Sequence, residues 1–91
     1  MVTKDYIASM RVNLGRRIHD LREARGLSQY DFAKMVPINR SYLVGVEKGY
    51  RNPSIEKIIM IANSLDVSMS ELCAGIEYAS NDADSQEPTQ G

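Results

Sequence analysis

The stretch Leu27–Pro53, LSQYDFAKMVPINRSYLVGVEKGYRNP, decides the fold of this 91-residue chain. The hydroxyl of Ser28 can accept a hydrogen bond from a free N–H group in the first turn of a helix, and Asp31 suits the positive end of that helix. Apolar residues then recur at helical spacing up to Val36. Pro37 disfavours the helical conformation at Val36 and has no N–H to donate. The sequence therefore predicts a helix that begins after Ser28 and ends before Pro37.

A second helix is predicted after a turn of about three residues. Asn39 is another good N-cap, and Tyr42, Leu43 and Val46 recur at the spacing that turns one face to the core. The opposite face carries Arg40, Ser41, Val44, Gly45 and Lys48. A glycine inside a helix costs roughly 1 kcal/mol relative to alanine, so Gly45 on an exposed face indicates that another group approaches the backbone closely.

Two short helices joined by a tight turn form a helix-turn-helix, and a second helix with an exposed polar face is typical of a motif that reads DNA. On residue types alone, an ordinary solvated helix face is the favoured interpretation of Arg40, Ser41 and Lys48. The motifs on either side favour the DNA-binding interpretation. They are LGRRIHDLREARGLSQ at 14–29, Phe32–Ala33, Glu47-Lys48-Gly49 and Arg51-Asn52-Pro53-Ser54.

Through these motifs, residues 12–73 resemble the lambda-repressor and Cro-like (Xre-type) family of DNA-binding domains. The resemblance implies an all-α, compact five-helix domain with the helix-turn-helix at helices 2 and 3, and a partly buried salt bridge between Arg22 and Glu47. Two positions depart from the family pattern: Pro37–Ile38 replaces a turn glycine, and Gly45 stands where relatives often carry a long base-reading side chain. The motifs Asn-Arg-Ser-Tyr-Leu and Tyr-Arg-Asn-Pro-Ser are also similar to the controller proteins of restriction-modification systems.

The second helix of the motif is expected to enter the major groove, which is about 12 Å wide. Arg40 is the favoured guanine reader, because its planar fork can donate to O6 and N7. The predicted base-contacting residues are Asn39, Arg40, Ser41, Val44 and Gly45. The predicted phosphate-contacting residues are Ser28, Gln29, Tyr30, Lys48, Tyr50, Arg51 and Asn52. For the last four of these, a solvated loop is the alternative.

Two further helices follow Pro53, with Ser54 and Ser68 as their predicted N-caps. The fourth helix is apolar over more than half its circumference and should be buried. The fifth helix is predicted to form a two-fold interface, as its counterpart often does in the family; ordinary core packing is the alternative. The candidate dimer residues are Met69, Leu72, Cys73 and Ile76. We expect one domain over residues 1–78, with its start uncertain before about residue 10.

Charge is distributed unevenly along the chain, although its formal net charge is only −1. Residues 1–65 hold all eleven Lys and Arg and six acidic residues, a net charge of +5, whereas residues 66–91 hold six acidic residues and no basic one. This pattern predicts a basic DNA-binding part and an acidic end. Residues 79–91, ASNDADSQEPTQG, lack apolar periodicity and are predicted to be a disordered tail.

Other classes of function find little support in the sequence. Cys73 and His19 are the only cysteine and histidine, so no zinc site or internal disulfide is expected, and no motif indicates a cofactor or an enzyme. Without a membrane-spanning or signal segment, the chain is expected to be cytoplasmic.

The predicted partners are a double-stranded DNA operator and a second copy of the chain. No RNA polymerase-binding motif is recognisable, so repressor and activator both stay open. An antitoxin-like role, in which Ala74–Gly91 binds a partner protein, is the alternative.

Overall fold

The computed structural model describes residues 2–77, and all the regular structure in this part of the chain is helical. The five helices are α1 Lys4–Ala24, α2 Gln29–Met35, α3 Arg40–Glu47, α4 Ile55–Ser64 and α5 Met69–Leu72. The predicted all-α, five-helix fold is therefore confirmed. The predicted domain boundary at residue 78 and the predicted tail over residues 79–91 lie outside the described residues.

Each helix begins after a residue whose side chain accepts a hydrogen bond from the first turn. For α2, the Ser28 hydroxyl accepts from the N–H of Asp31 at 3.0 Å. For α5, Ser68 accepts from the N–H of Glu71, and the Glu71 carboxylate accepts from the N–H of Ser68, which lowers the pKa of Glu71. Such caps satisfy N–H groups that have no partner within the helix. The five N-caps are Thr3, Ser28, Asn39, Ser54 and Ser68.

The end of α2 differs in one respect from the prediction. Val36 keeps helical angles, φ −61° and ψ −44°, and its N–H donates to the carbonyl of Phe32 at 3.0 Å. The expectation that Pro37 moves Val36 out of the helical conformation is therefore wrong. Val36 is buried in the core, and this packing holds it in the last turn. The peptide bond between Val36 and Pro37 is cis. The helix still ends here because Pro37 has no N–H to continue it.

The core lies where α1, α2 and α3 meet α4 and α5. Its buried residues are Ile18, Phe32, Ala33, Val36, Leu43, Val46, Ile61, Ala62, Leu65 and Leu72. The backbones of α1 and α3 approach closely at Gly15, where an added Cβ would lie 2.5 Å from the carbonyl oxygen of Glu47. Contacts this short exclude any side chain, so Gly15 fixes how near α3 lies to α1.

Leu72 belongs to this core, which corrects one of the dimer predictions. Its side chain is completely buried within a single chain, so a second copy cannot touch it. The alternative of ordinary core packing holds for Leu72, because α5 is short and must bury this residue to dock on the other helices. Met69, Cys73 and Ile76 are half-buried and keep part of their surface exposed.

A buried ion pair joins α1 to the C-terminal end of α3. The Arg22 guanidinium donates to both carboxylate oxygens of Glu47, at 2.7 and 3.1 Å, and to the carbonyl of Leu27 at 2.7 Å. The Gln29 amide also donates to Glu47, at 3.1 Å. The side chains of Arg22 and Glu47 are only 6% and 4% exposed, and their hydrogen bonds raise the pKa of Arg22. The pair thus connects α1, α2 and α3.

None of the five described helices combines the length and the apolar character that crossing a bilayer requires. Over residues 2–77, no group of three or more His, Cys, Asp or Glu side chains is placed to hold a metal ion.

The buried pair predicts a large effect of Arg22→Ala on stability. The substitution leaves the Glu47 carboxylate buried without its cation, and we expect the free energy of unfolding to fall by about 3 kcal/mol in urea denaturation. Arg25→Ala is the matched control, because the exposed Arg25 lies 3.9 Å from an exposed carboxylate of Asp66 and should change stability by less than about 1 kcal/mol. Equal losses from the two substitutions would contradict the structural role of the pair.

Candidate nucleic-acid interface

The packing of α3 leaves one of its sides facing solvent. Leu43 and Val46 are almost completely buried, and Tyr42 is half-buried against the same core. On the other side, Arg40, Ser41 and Lys48 are exposed and Val44 is half-buried. Arg40, Ser41 and Val44 line one open depression in the surface. We call the side formed by Arg40, Ser41, Val44, Gly45 and Lys48 the outward face of α3.

Arg40 begins α3 and is the strongest hydrogen-bond donor of the outward face. Its guanidinium forms no hydrogen bond or ion pair with any of residues 2–77, so its five N–H donors are available to a ligand. A planar guanidinium can donate two parallel hydrogen bonds to O6 and N7 of a guanine. The geometry around Arg40 thus suits the role that the sequence predicts for it.

Asn39 and Ser41 are partly occupied by the cap of α3. The side-chain oxygen of Asn39 accepts from the backbone N–H of Ser41 at 2.8 Å and from its hydroxyl at 2.6 Å. A bidentate contact with adenine needs both the oxygen and the amide group of an asparagine. The cap uses the side-chain oxygen of Asn39 as a double acceptor. Only the NH₂ group of Asn39 therefore remains available to a ligand.

Gly45 is buried, so the expectation that it lies on an exposed face of α3 is wrong. A Cβ built on Gly45 would lie 2.7 Å from Cγ of Arg51. The group that approaches the Gly45 backbone is therefore a side chain of the same molecule, from the loop after α3. The sequence contained a signal for this arrangement, namely an unexplained helical glycine followed closely by an arginine.

Arg51 lies beside α3, although the sequence placed it only in a phosphate-contacting loop. Its guanidinium carbon is 5.6 Å from the centre of the Tyr42 ring, within the range of a cation–π contact. The backbone after α3 turns back on the helix, because the N–H groups of Tyr50 and Arg51 both donate to the carbonyl of Gly45, at 2.8 and 3.3 Å. The structure thus brings Arg51 against α3 over Gly45 and Tyr42, at the border between the outward face and the side that packs on the core.

The other predicted phosphate-contacting residues lie at both ends of the motif. Ser28 is the N-cap of α2, and Gln29 is half-buried with its amide directed to Glu47. Tyr30 is 59% exposed, with the Lys34 ammonium 4.8 Å from its ring centre. Beyond α3 the exposed residues are Lys48, Tyr50 and Asn52. The side-chain amide of Gln29 therefore already donates one hydrogen bond to the buried ion pair. The exposed residues are accessible to a ligand.

Comparison with known proteins identifies the same motif. The family model described as helix-turn-helix matches residues 18–72. The chain is 33% identical over 67 residues to the HTH-type transcriptional regulator DdrOP3 of Deinococcus deserti, covering 74% of this chain and 52% of that protein. It is 33% identical over 69 residues to the control protein C.MunI of a Mycoplasma species, covering 75% of this chain and 93% of that protein.

Among solved structures, the restriction-modification controller protein C.AhdI of Aeromonas hydrophila is 44% identical, with a TM-score of 0.66. The match covers 67% of this chain and 92% of that one. The predicted similarity to controller proteins is thereby confirmed.

The relatives are named as regulators and control proteins, a class without enzymatic activity, in agreement with the expectation for this chain. The chain spans 52% and 60% of the length of DdrOP3 and of a second regulator, from Rickettsia conorii.

The cap of α3 predicts a measurable effect of Asn39→Ala. Removing the capping oxygen should lower the free energy of unfolding by about 1 kcal/mol, because an N–H group of the first turn loses its partner. Asn39→Ser retains a capping oxygen and should stay within about 0.5 kcal/mol of the parent. Urea denaturation of both variants tests this, and an equal loss in both would show that the loss does not arise from the capping oxygen.

Proposed function

This chain belongs to the helix-turn-helix family, and from that premise we propose that it is a sequence-specific regulator of transcription that binds double-stranded DNA. The observation that carries the proposal is the outward face of α3, which presents unpaired donors while the opposite side is anchored in the core. A helix presented in this way fits the major groove of B-form DNA.

Arg40, Ser41 and Val44 are the proposed base readers. Arg40 donates to a guanine through its free guanidinium. The Ser41 oxygen can accept a hydrogen bond, since its own hydrogen is directed to Asn39. The methyl groups of Val44 can contact the methyl group of a thymine. Asn39 contributes at most the two N–H donors of its side-chain amide. Gly45 acts without contacting a base directly.

Electrostatics support binding to a polyanion at this surface. Among residues 39–54, the exposed charged side chains are Arg40, Lys48 and Arg51, whereas the one carboxylate, that of Glu47, is buried and paired with Arg22. The buried pair thus removes the only negative charge from the segment that would face the phosphates. This local basic character matters more than the overall net charge of −1, because screening limits exposed charges to a range of about 8 to 10 Å.

Phosphate contacts are assigned to both ends of the motif. Lys48, Tyr50 and Asn52 lie after α3, and Tyr30 lies at the start of α2; all four are exposed and carry a donor. Ser28 and Gln29 add donors at the start of α2. Such contacts hold the protein in register on the duplex but carry no sequence information themselves.

We further propose that the chain binds an inverted-repeat operator as a homodimer and acts as a repressor or autoregulator. The two-fold contact is assigned to the partly exposed residues Met69, Cys73 and Ile76. Relatives named as control or controller proteins support a role in the control of gene expression. A protein-interaction role for Ala74–Gly91 is less well supported, because the family model matches residues 18–72 and does not extend to this segment.

Substitutions at Arg40 and Lys48 should have different effects on binding. Arg40→Ala should weaken binding to a preferred duplex by about 1 to 3 kcal/mol and relax the preference at one base position. Lys48→Ala should weaken binding to all sequences similarly and reduce the slope of log K against log salt concentration by about one. Fluorescence anisotropy over several duplexes and salt concentrations measures both. Uniform losses from both variants would contradict the assignment of Arg40.

A dimer predicts the form of the operator. Selection of bound duplexes from a random pool should recover an inverted repeat whose half-site centres lie about 34 Å apart, one turn of B-form DNA. Analytical ultracentrifugation of the complex should find two chains per duplex. Recovery of a single asymmetric site with one chain bound would contradict the dimer.

A further inference from the structure

We propose that Gly45 is a positioning residue for DNA recognition. Because it has no side chain, Arg51 can lie along the outward face of α3 and present its guanidinium to the base edges. In this arrangement Arg51 takes the place of a side chain at residue 45. The inference rests on the proposed function and refines it, since it moves Arg51 from the phosphate-contacting set to the base-reading set.

The position of Gly45 on α3 supports this role. Ser41 precedes it by four residues and Lys48 follows it by three, so the three residues share one side of the helix. The three heavy atoms nearest to a Cβ built on Gly45 all belong to Arg51: Cγ at 2.7 Å, Nε at 3.4 Å and Cδ at 3.6 Å. The space that a side chain at residue 45 would occupy is therefore filled by Arg51.

Arg51 is held at both ends. At the backbone, its N–H and that of Tyr50 donate to the carbonyl of Gly45. Gly49 permits the turn that makes this possible, with a φ of +82° that other residues rarely adopt. At the far end, the guanidinium lies by the ring of Tyr42, three residues before Gly45. A side chain held in this way loses less conformational freedom when it binds a ligand.

The guanidinium of Arg51 is available for recognition. The side chain is exposed, and over residues 2–77 it forms no hydrogen bond and no ion pair. Its contact with Tyr42 leaves the edge of the guanidinium free, where all five N–H donors lie. The Arg51 guanidinium therefore adds hydrogen-bond donors to those of Arg40.

Helix stability alone would favour alanine at residue 45, because glycine is the poorer helix former. Alanine would place its methyl group 2.7 Å from Cγ of Arg51, so the Arg51 side chain would have to rotate about its Cα–Cβ bond, and none of the three atoms nearest to the methyl group belongs to the core. Gly45→Ala should therefore leave the melting temperature unchanged or raise it, yet weaken DNA binding. Opposite effects on stability and on binding separate a positioning role from a structural one.

A double-mutant cycle tests the proposal. The wild-type chain, Gly45→Ala, Arg51→Ala and the double variant are titrated against a duplex that the wild-type chain selects from a random pool. Each single variant should lose roughly tenfold in affinity, the lower part of the range for a bidentate base contact. The double variant should lose roughly tenfold as well, because both substitutions remove the same contact. Arg51→Ala should also relax the preference at one base position, and Arg51→Lys, which keeps the charge without the fork, should do the same.

Three results would overturn the proposal while leaving the proposed function intact. The first is an affinity of Gly45→Ala for the duplex that equals that of the wild-type chain. The second is a loss of affinity of roughly a hundredfold in the double variant, which would mean that the two substitutions act independently. The third is a loss of affinity in Arg51→Ala that is equal on all sequences. If the wild-type chain selects no duplex from the pool, the proposed function fails and this inference fails with it. Thermal unfolding of each variant verifies that the fold is retained.

Discussion

The buried ion pair between Arg22 and Glu47 is the constraint on which the rest of the structure depends. It fixes the C-terminal end of α3 against α1, and Gln29 extends the hydrogen-bond network to α2. Next to it, the absence of a side chain at Gly15 allows the backbones of α1 and α3 to meet. A charge buried without its partner is costly, so these contacts strongly favour a single placement of α3. The orientation of the outward face is a consequence of that placement.

The same pair shapes the electrostatics of the interface. Glu47 is the only acidic residue between residues 39 and 54, and its burial leaves Arg40, Lys48 and Arg51 as the exposed charges of this segment. Local caps then define where the helices start, so that Arg40 occupies the first position of α3. Stability and recognition are thus separated on one short helix: Leu43, Val46 and Glu47 hold it, and the outward face remains available to a ligand.

Much of this arrangement could be predicted from the sequence, because caps and helical periodicity are local properties. Ser28, Asn39, Ser54 and Ser68 cap the helices as expected, and Leu43 and Val46 are buried as their spacing predicts. The wrong predictions concern contacts made between elements. The spacing within α3 could not reveal that Arg51, from beyond the helix, covers Gly45. Similarly, an apolar pattern cannot distinguish a core residue such as Leu72 from an interface residue, because both kinds of burial use the same side chains.

The central claim is that the outward face of α3 enters a DNA groove, and NMR chemical-shift titration tests it most directly. The full chain, labelled with ¹⁵N, is titrated with a duplex recovered from a random pool. The account predicts that the backbone N–H signals of Arg40, Ser41, Val44 and Lys48 and the side-chain N–H signals of Arg40 shift most, while the backbone N–H signal of Ile61 in the core stays nearly constant. Large shifts confined to α1 or α5, with α3 unchanged, would contradict the account.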